Sequence, residues 1–581
     1  MRFRALLSLA IGLAILGTGL GAAAPASAAV SHTLYVDGKN GSDANDGTSW
    51  GEAVRSINVA ARKVPRGAGK AAGWTVVIRG YDDYVYRERP IPGGFDRGGA
   101  SGAPLVFQAE GWEAGTSDYV KPIVSGGRVA PSAGNHWTAT STPGVYSTPW
   151  SSAPAGFDTR NGAWTAAVFQ NVTTSLWQRP SLAHLKAHPG GGGYWYDGGA
   201  RRLYVAAAKG ADLRDVQVDV PTENGFLIDG RHGGSWIEVR GFRLRHFAMA
   251  VAFVGGTDHS AAVDNEVFAN SHLGLHSSGR ATSSGFDPAT GNSFLRNVGK
   301  YNTMQAIKVD AGSQDTVVCD NLISANGMQG IKVQGATDGA SDPRKTSGTL
   351  VCDNEIWANR FVRPDHKYEN ASGVTIADGA GSTTLRDNRI SRNGIGIHVT
   401  QRNSHGLAIR NTRIIGNLVW GNTRFGIDFH DGSFSSSAGS GSALSTKNLY
   451  WDNGVGIFVA EGSTNKRFVL ETVFDNHTDG IKVGCGCSTR RAGASIERTL
   501  VTNNGDFGVR LLPGHRASLF YVGISANADG HISGRPGKSH VNTRGAGYRS
   551  MTPGTADFLR IRPASYQYTA GPSDTPIGAR W

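Results

Sequence analysis

Four residues in the second half of the chain have the types and spacing to move protons. His398 and Asp428 each occupy the third place of a Gly-Ile-x-(Val/Phe) tetrad, His430 follows Asp428 by two residues, and Asp431 follows at once. An imidazole beside a carboxylate is held in one tautomer and tuned for general acid–base work near neutral pH. Lys308, Lys332 and Lys482 take the same third place in sister tetrads, where they would hold substrate carboxylates. Gln334, Gln401 and Glu461 fall just beyond their tetrads and would line the site's edge. A Ca²⁺ could neutralise a substrate carboxylate, with Asp310, Asp378 or Asp431 as its ligands. No Ca²⁺ motif of convincing spacing is present, and the Asp43/Asp46 loop reads as a turn.

What positions these residues is a repeat. Its tetrads begin at Gly274, Ala306, Gly330, Gly373, Gly396, Gly426, Gly456, Gly480 and Gly508, spaced 32, 24, 43, 23, 30, 30, 24 and 28 residues apart. A base near 23 residues with variable insertions is one structural unit carrying loops of differing length. A second apolar alternation precedes each tetrad, as in Asn354-Glu-Ile-Trp and Asn388-Arg-Ile-Ser. Period-two alternation broken by Gly and Asn gives short strands and leaves no room for crossover helices, so the units stack as a parallel β-helix. Both aliphatic residues of each tetrad then face inward and the third place faces out. Coils lie about 4.8 Å apart, which makes His398 a neighbour of Asp428. The recurring Asn270, Asn302, Asn326, Asn393, Asn422, Asn453, Asn476 and Asn504 form a structural ladder that satisfies turn amides.

Composition bounds the rest. The chain has 581 residues, 81 of them Gly, with 58 Lys+Arg against 46 Asp+Glu for a formal charge of +12. Apolar β-formers spread throughout exclude disorder, and glycines without a three-residue period exclude collagen. Residues 1–28 have a basic start, an apolar middle and a Pro-Ala-Ser-Ala end, the pattern of a secretory signal cut after Ala28. No later stretch approaches the length of a membrane span. Export permits oxidised cysteines. Cys319 and Cys352 hold equivalent places in two similar segments, favouring pairs 319–352 and 485–487. The expected divisions are 29–126, an N-terminal cap with the first coils; 127–215, an aromatic-rich β insert; 216–545, the β-helix; and 546–581, a capping tail. Glu52 to Lys63 reads as an amphipathic capping helix. A basic exported monomer suits an acidic extracellular polysaccharide. Nucleic acid, the rival by charge, is set aside because no binding module is recognisable.

Two segments add a resemblance. Tyr35-Val-Asp-Gly-Lys-Asn-Gly-Ser-Asp-Ala-Asn-Asp-Gly-Thr, followed by 50–64, resembles the opening of secreted right-handed parallel β-helix carbohydrate-active proteins: polysaccharide lyases, uronan epimerases and some glycosidases. Phe425-Gly-Ile-Asp-Phe-His-Asp resembles the Tyr-Gly-Phe-Asp-Pro-His-(Glu/Asp) segment of mannuronan C5-epimerases, whose Tyr, Asp and His serve the active site. The resemblance implies a right-handed helix and site roles for Asp428 and His430. Phe425 and Phe429 replace the Tyr and Pro, and Ala460 stands where those enzymes have another Asp, with Glu461 one step away. Three enzymatic activities fit. A lyase would abstract the C5 proton of a uronate, with His398 or His430 as base or acid and Asp428 orienting them. A glycoside hydrolase would pair Asp428 with Asp431, Asp378 or Glu461. A C5-epimerase would share the lyase's first step. A non-catalytic carbohydrate-binding surface is the remaining reading.

Overall fold

In the computed structural model the described residues are 32–579 except 133, 156–166, 283–284, 336–345, 360–370, 402–408, 431–441 and 487–489. The 1–28 segment, Asp431 and Cys487 therefore lie outside them. Three long sheets of 15, 13 and 12 strands, every neighbouring pair parallel, run the length of the chain and enclose one continuous apolar core.

One coil shows how the repeat folds. Thr384–Arg386 adds a strand to the first sheet, Arg389–Ser391 to the second and Ile395–Thr400 to the third. Leu385, Ile390, Ile397 and Val399 point inward and are fully buried. The chain turns from first to second sheet at Asp387 and from second to third at Arg392, both with positive φ (56° and 55°). An asparagine follows each turn, and its side chain repays the strained backbone. Asn388 donates from its backbone N–H (3.0 Å) and from Nδ2 (2.9 Å) to Oδ1 of Asn417 one coil on. Asn393 does the same to Asn422. The expected ladder is present and gains Asn359 and Asn527. A second ladder of Asn265, Asn297, Asn321, Asn354, Asn388, Asn417 and Asn448 rises beside it. Glu471 then takes the asparagine's place, receiving both the N–H (2.7 Å) and Nδ2 (3.2 Å) of Asn448. Full burial pushes its carboxyl up to about 8.

Cys319 and Cys352 face each other in adjacent strands of the first sheet and form a disulfide. Cys485 is also disulfide-bonded. The helix near the N-terminus is shorter than the sequence suggested, Ile57–Lys63, with Ile57, Ala60 and Ala61 buried. The preceding residues are pinned extended: Val54 pairs with Val36, and the Arg55 and Ser56 N–H groups both donate to Asp43 Oδ1. Glu88 receives the first helical N–H groups, those of Ile57 and Asn58.

Between the second and third sheets of an early coil the chain leaves for an eight-stranded, mostly antiparallel sheet running from Gly127–Ala130 to Val218–Pro221. Trp137, Trp150, Trp177, Tyr194 and Tyr196 are buried within it. It docks on the coils through the fully buried His246, which meets Ser125 Oγ (3.3 Å) and the Val172 carbonyl (2.8 Å) and stacks on Phe169. At the other end, Tyr548, Phe558 and Leu559 fold back against Leu449, Trp451 and Phe474 of the second sheet.

Candidate functional site

The third sheet's outer face carries the polar strip. Its strands Gln305–Asp310, Gln329–Gln334, Ser372–Ala377, Ile395–Thr400, Phe425–His430, Val455–Val459, Ile481–Val483 and Phe507–Leu511 pair in that order. Lys308, Lys332, Thr375, His398, Asp428, Phe458, Lys482 and Arg510 lie side by side in unbroken register, and Thr400 is paired with His430. Two places along, Gln334 pairs with Ala377 and Ala377 with Thr400.

Burial separates this strip from an ordinary solvated face. His398 and Asp428 are each 4% exposed, although both point away from the core. Their Nε2 and Oδ2 atoms stand 3.5 Å apart. His430 is half-buried beside Thr400, whose buried Oγ1 has no hydrogen-bond partner among the described residues. Gln401 is buried at the strand's end, receiving the Ile409 N–H on Oε1 (3.2 Å) and donating its own N–H to the His430 carbonyl (3.2 Å). Next to Asp428 the face turns apolar, where Phe425 and Phe458 stack with centroids 4.7 Å apart.

Several expected residues have other employment. Lys308 pairs with Asp310, whose other oxygen contacts His276 Nε2 at 2.8 Å. Burial alone would raise the Asp310 carboxyl, but His276 and Lys308 outweigh it and hold it well below the usual carboxylate range. With the Lys308 ammonium on one oxygen and His276 Nε2 on the other, Asp310 is unsuited to ligate Ca²⁺. Asp378 accepts from Gln334 Nε2 (3.1 Å). Among the described residues no group of three His, Cys, Asp or Glu side chains converges as a metal site, and Asp431, the third ligand expected for Ca²⁺, lies outside them. Glu461 is buried and receives the N–H groups of Cys485 (2.7 Å) and Gly486 (2.6 Å). This ties its carboxylate to a turn rather than offering it to the groove. Lys332 and Lys482 remain half-buried on the strip.

His276 was missed. It is paired with Lys308 and so belongs to the same strip. The tetrad starting at Gly274 carries it in the third place, which was the available signal. His272, just before that strand, was missed as well. Burial pushes it down to about 4, with Lys308 and His276 adding to the shift, which keeps its imidazole neutral at ordinary pH.

A sequence profile for the right-handed β-helix region matches residues 224–414. No curated protein sequence matches the chain. Among solved structures it is similar to XylC in complex with xylose, at 13% identity and a TM-score of 0.53, covering 90% of this chain and 88% of that one. It is also similar to pectate lyase Pel9A (11% identity, TM-score 0.40, 95% and 96% covered). A third likeness is to the A-module of the Azotobacter vinelandii mannuronan C-5 epimerase AlgE4 (14%, 0.37, 55% and 83%). The profile and the first superposition establish a right-handed parallel β-helix; the two weaker superpositions add no further argument.

Proposed function

We propose that the chain is an exported polysaccharide-active enzyme that cleaves a uronate-containing polymer by β-elimination in the third-sheet groove. The observation that carries this reading is the His398–Asp428 pair, outward-facing yet buried and 3.5 Å apart. A carboxylate at that distance fixes imidazole orientation and stabilises its protonated form. His398 or His430 takes the C5 proton. The electrons of the broken C5–H bond form the C4–C5 double bond as the C4–O bond to the leaving sugar breaks, and a proton is returned to the leaving oxygen. Asp428 orients the imidazoles. Lys332, one coil from Thr375 and two from His398, stabilises the charge that develops on the uronate carboxylate. Lys482 and Gln401 bind flanking units. Lys308, already paired with Asp310, acts through that carboxylate. The signal-like 1–28 segment, the oxidised cysteines and the charge of +12 support an extracellular acidic substrate.

Hydrolysis is the second reading, favoured by the burial of Asp378 in the turn just past the strand Ser372–Ala377, which lies two strands from that of Asp428. Two carboxylates are its minimum requirement. Incubation of the mature protein with acidic and neutral polysaccharides tests both. Ultraviolet absorbance of an unsaturated uronate supports elimination. Reducing ends without that absorbance support hydrolysis, and altered residue composition without cleavage supports epimerisation. A polymer left intact after long incubation would instead indicate a binding protein.

A further inference from the structure

The insert carries a polar site of its own. Its sheet begins at the strand Gly127–Ala130 and ends at Val145–Pro149 and Thr138–Ala139, the opposite extreme of the strand order. The sheet curls around its apolar core until these two edges flank one cleft of about 270 Å³. Arg128, Ser132 and Asn135 line the cleft from the first edge and the loop after it, and Trp150, Ser151 and Arg201 line it from the other. Trp150 is rooted in the insert's core, and its backbone N–H donates to the Arg201 carbonyl (2.8 Å), which fixes Arg201 beside it.

Charge sets the cleft apart. The insert's other described arginines are engaged. Arg179 donates to the Gly191 and Gly192 carbonyls (2.8 and 3.1 Å), Arg202 to Ser147 Oγ (3.0 Å) and Arg214 to Asp212 Oδ1 (3.0 Å). Arg128 and Arg201 are exposed, and their guanidinium groups meet no acceptor among the described residues. No Asp or Glu lines the cleft. Asp219, next to the register partner of Arg128, is fully buried and holds Arg87 instead (2.8 Å). Two uncompensated guanidinium forks at one opening raise the local potential, and their planar donors match a carboxylate or a sulfate. Asn135 Nδ2 donates to Ser132 Oγ (2.9 Å), so the Ser132 O–H and Asn135 Oδ1 remain for a ligand's hydroxyls. A cleft just below the roughly 300–1,000 Å³ of drug-sized sites admits a sugar ring rather than a polymer segment.

We propose that this cleft binds one acidic sugar unit, its carboxylate or sulfate ester held between Arg128 and Arg201 and its hydroxyls met by Ser132, Asn135 and Ser151. None of the lining residues belongs to the third sheet, so the cleft is a site distinct from the groove. The choice of a sugar over another anion rests on the groove reading above; the site itself does not.

The test is calorimetric binding to the full-length protein carrying His398→Ala, so that no turnover adds heat. The ligands are digalacturonate, sulfated galactobiose, unsulfated galactobiose and inorganic sulfate. An acidic disaccharide binds this parent, and which of the two binds identifies the anion. Arg128→Ala with Arg201→Ala weakens that binding about tenfold or more, whereas lysine at both positions, which keeps the charge without the fork, recovers part of the loss. Lys332→Ala with Lys482→Ala leaves it unchanged. Equal melting temperatures confirm that folding is intact. Unchanged affinity in the double arginine-to-alanine variant overturns the site, and so does a loss confined to the lysine variant, which would assign the binding to the groove. Inorganic sulfate or unsulfated galactobiose binding as tightly as the acidic disaccharides overturns the acidic sugar. Arginine-dependent binding by a protein whose unmutated form turns over no polysaccharide leaves the cleft standing while the groove reading falls.

Discussion

The inner corners and the outer groove of the same coils both stack polar side chains one coil apart; the corners bury theirs, while the groove buries His398 and Asp428 and leaves its lysines half-buried. Their compositions are opposite. At the corners the same residue returns coil after coil, each asparagine donating to the next one's Oδ1, as Asn388 does to Asn417 and Asn417 to Asn448. Along the groove the register is just as regular, but the column reads His276, Lys308, Lys332, Thr375, His398, Asp428, Phe458, Lys482. A repeated amide satisfies a repeated backbone need. A series of unlike side chains in equal register satisfies no common backbone need, and it is where a ligand with its own varied surface would be read. Position in the repeat thus separates structural polarity from chemical polarity more sharply than burial does.

The largest effect that would break this distinction is in the groove. Asp428→Asn keeps the side chain's shape and removes its charge, and turnover on the uronate polymer is expected to fall about 10²–10⁴-fold with melting temperature held or raised. A corner substitution should do the reverse. Asn417→Ala strips the acceptor from both the Asn388 N–H and its Nδ2, and denaturant unfolding should show about 1–3 kcal/mol lost while turnover per folded molecule stays at the parent level.

Glu471 sharpens the comparison because it puts a titrating group inside a ladder. Its carboxyl is lifted from 4.5 to about 8 by burial in the folded chain. Below the unfolded value both states are protonated and its contribution to stability is complete. Between that value and about 8 the unfolded state alone has released the proton, so stability declines as pH rises. Melting temperature measured across this window should slope downward, and Glu471→Gln, an amide among amides, should flatten it. The smallest expected effect concerns the Phe425–Phe458 stack beside Asp428. Phe458→Ala should weaken oligosaccharide binding by about 0.5–1.5 kcal/mol, read by the same calorimetry, with the ladder untouched.

Much of this was legible in the sequence because the tetrads fix their own register. Two inward aliphatics per tetrad leave one place for the outward residue, so the pairing of His398 with Asp428 followed from spacing alone. The partners of the charged residues were not legible. Lys308 and Asp310 satisfy each other on one strand face, and Glu461 is claimed by N–H groups of a turn 24 residues away. Such outcomes depend on rotamers and loop paths that no periodicity encodes. The second asparagine ladder was passed over because its members open the short strands of the second sheet, where each looked like ordinary turn punctuation. The helix was drawn too long because its early residues have helical spacing, while Asp43 and Val36 compete for their backbone. His276 was readable by column and was overlooked because it stands before the first lysine.

The central claim is that the buried His398–Asp428 pair performs proton transfer on a bound uronate. Its most direct test follows unsaturated-uronate absorbance over pH for the parent protein, His398→Ala and Asp428→Asn on one acidic polysaccharide. Elimination by the parent, lost in both variants while their melting temperatures persist, is the expected result. Full turnover by either variant would contradict the assignment.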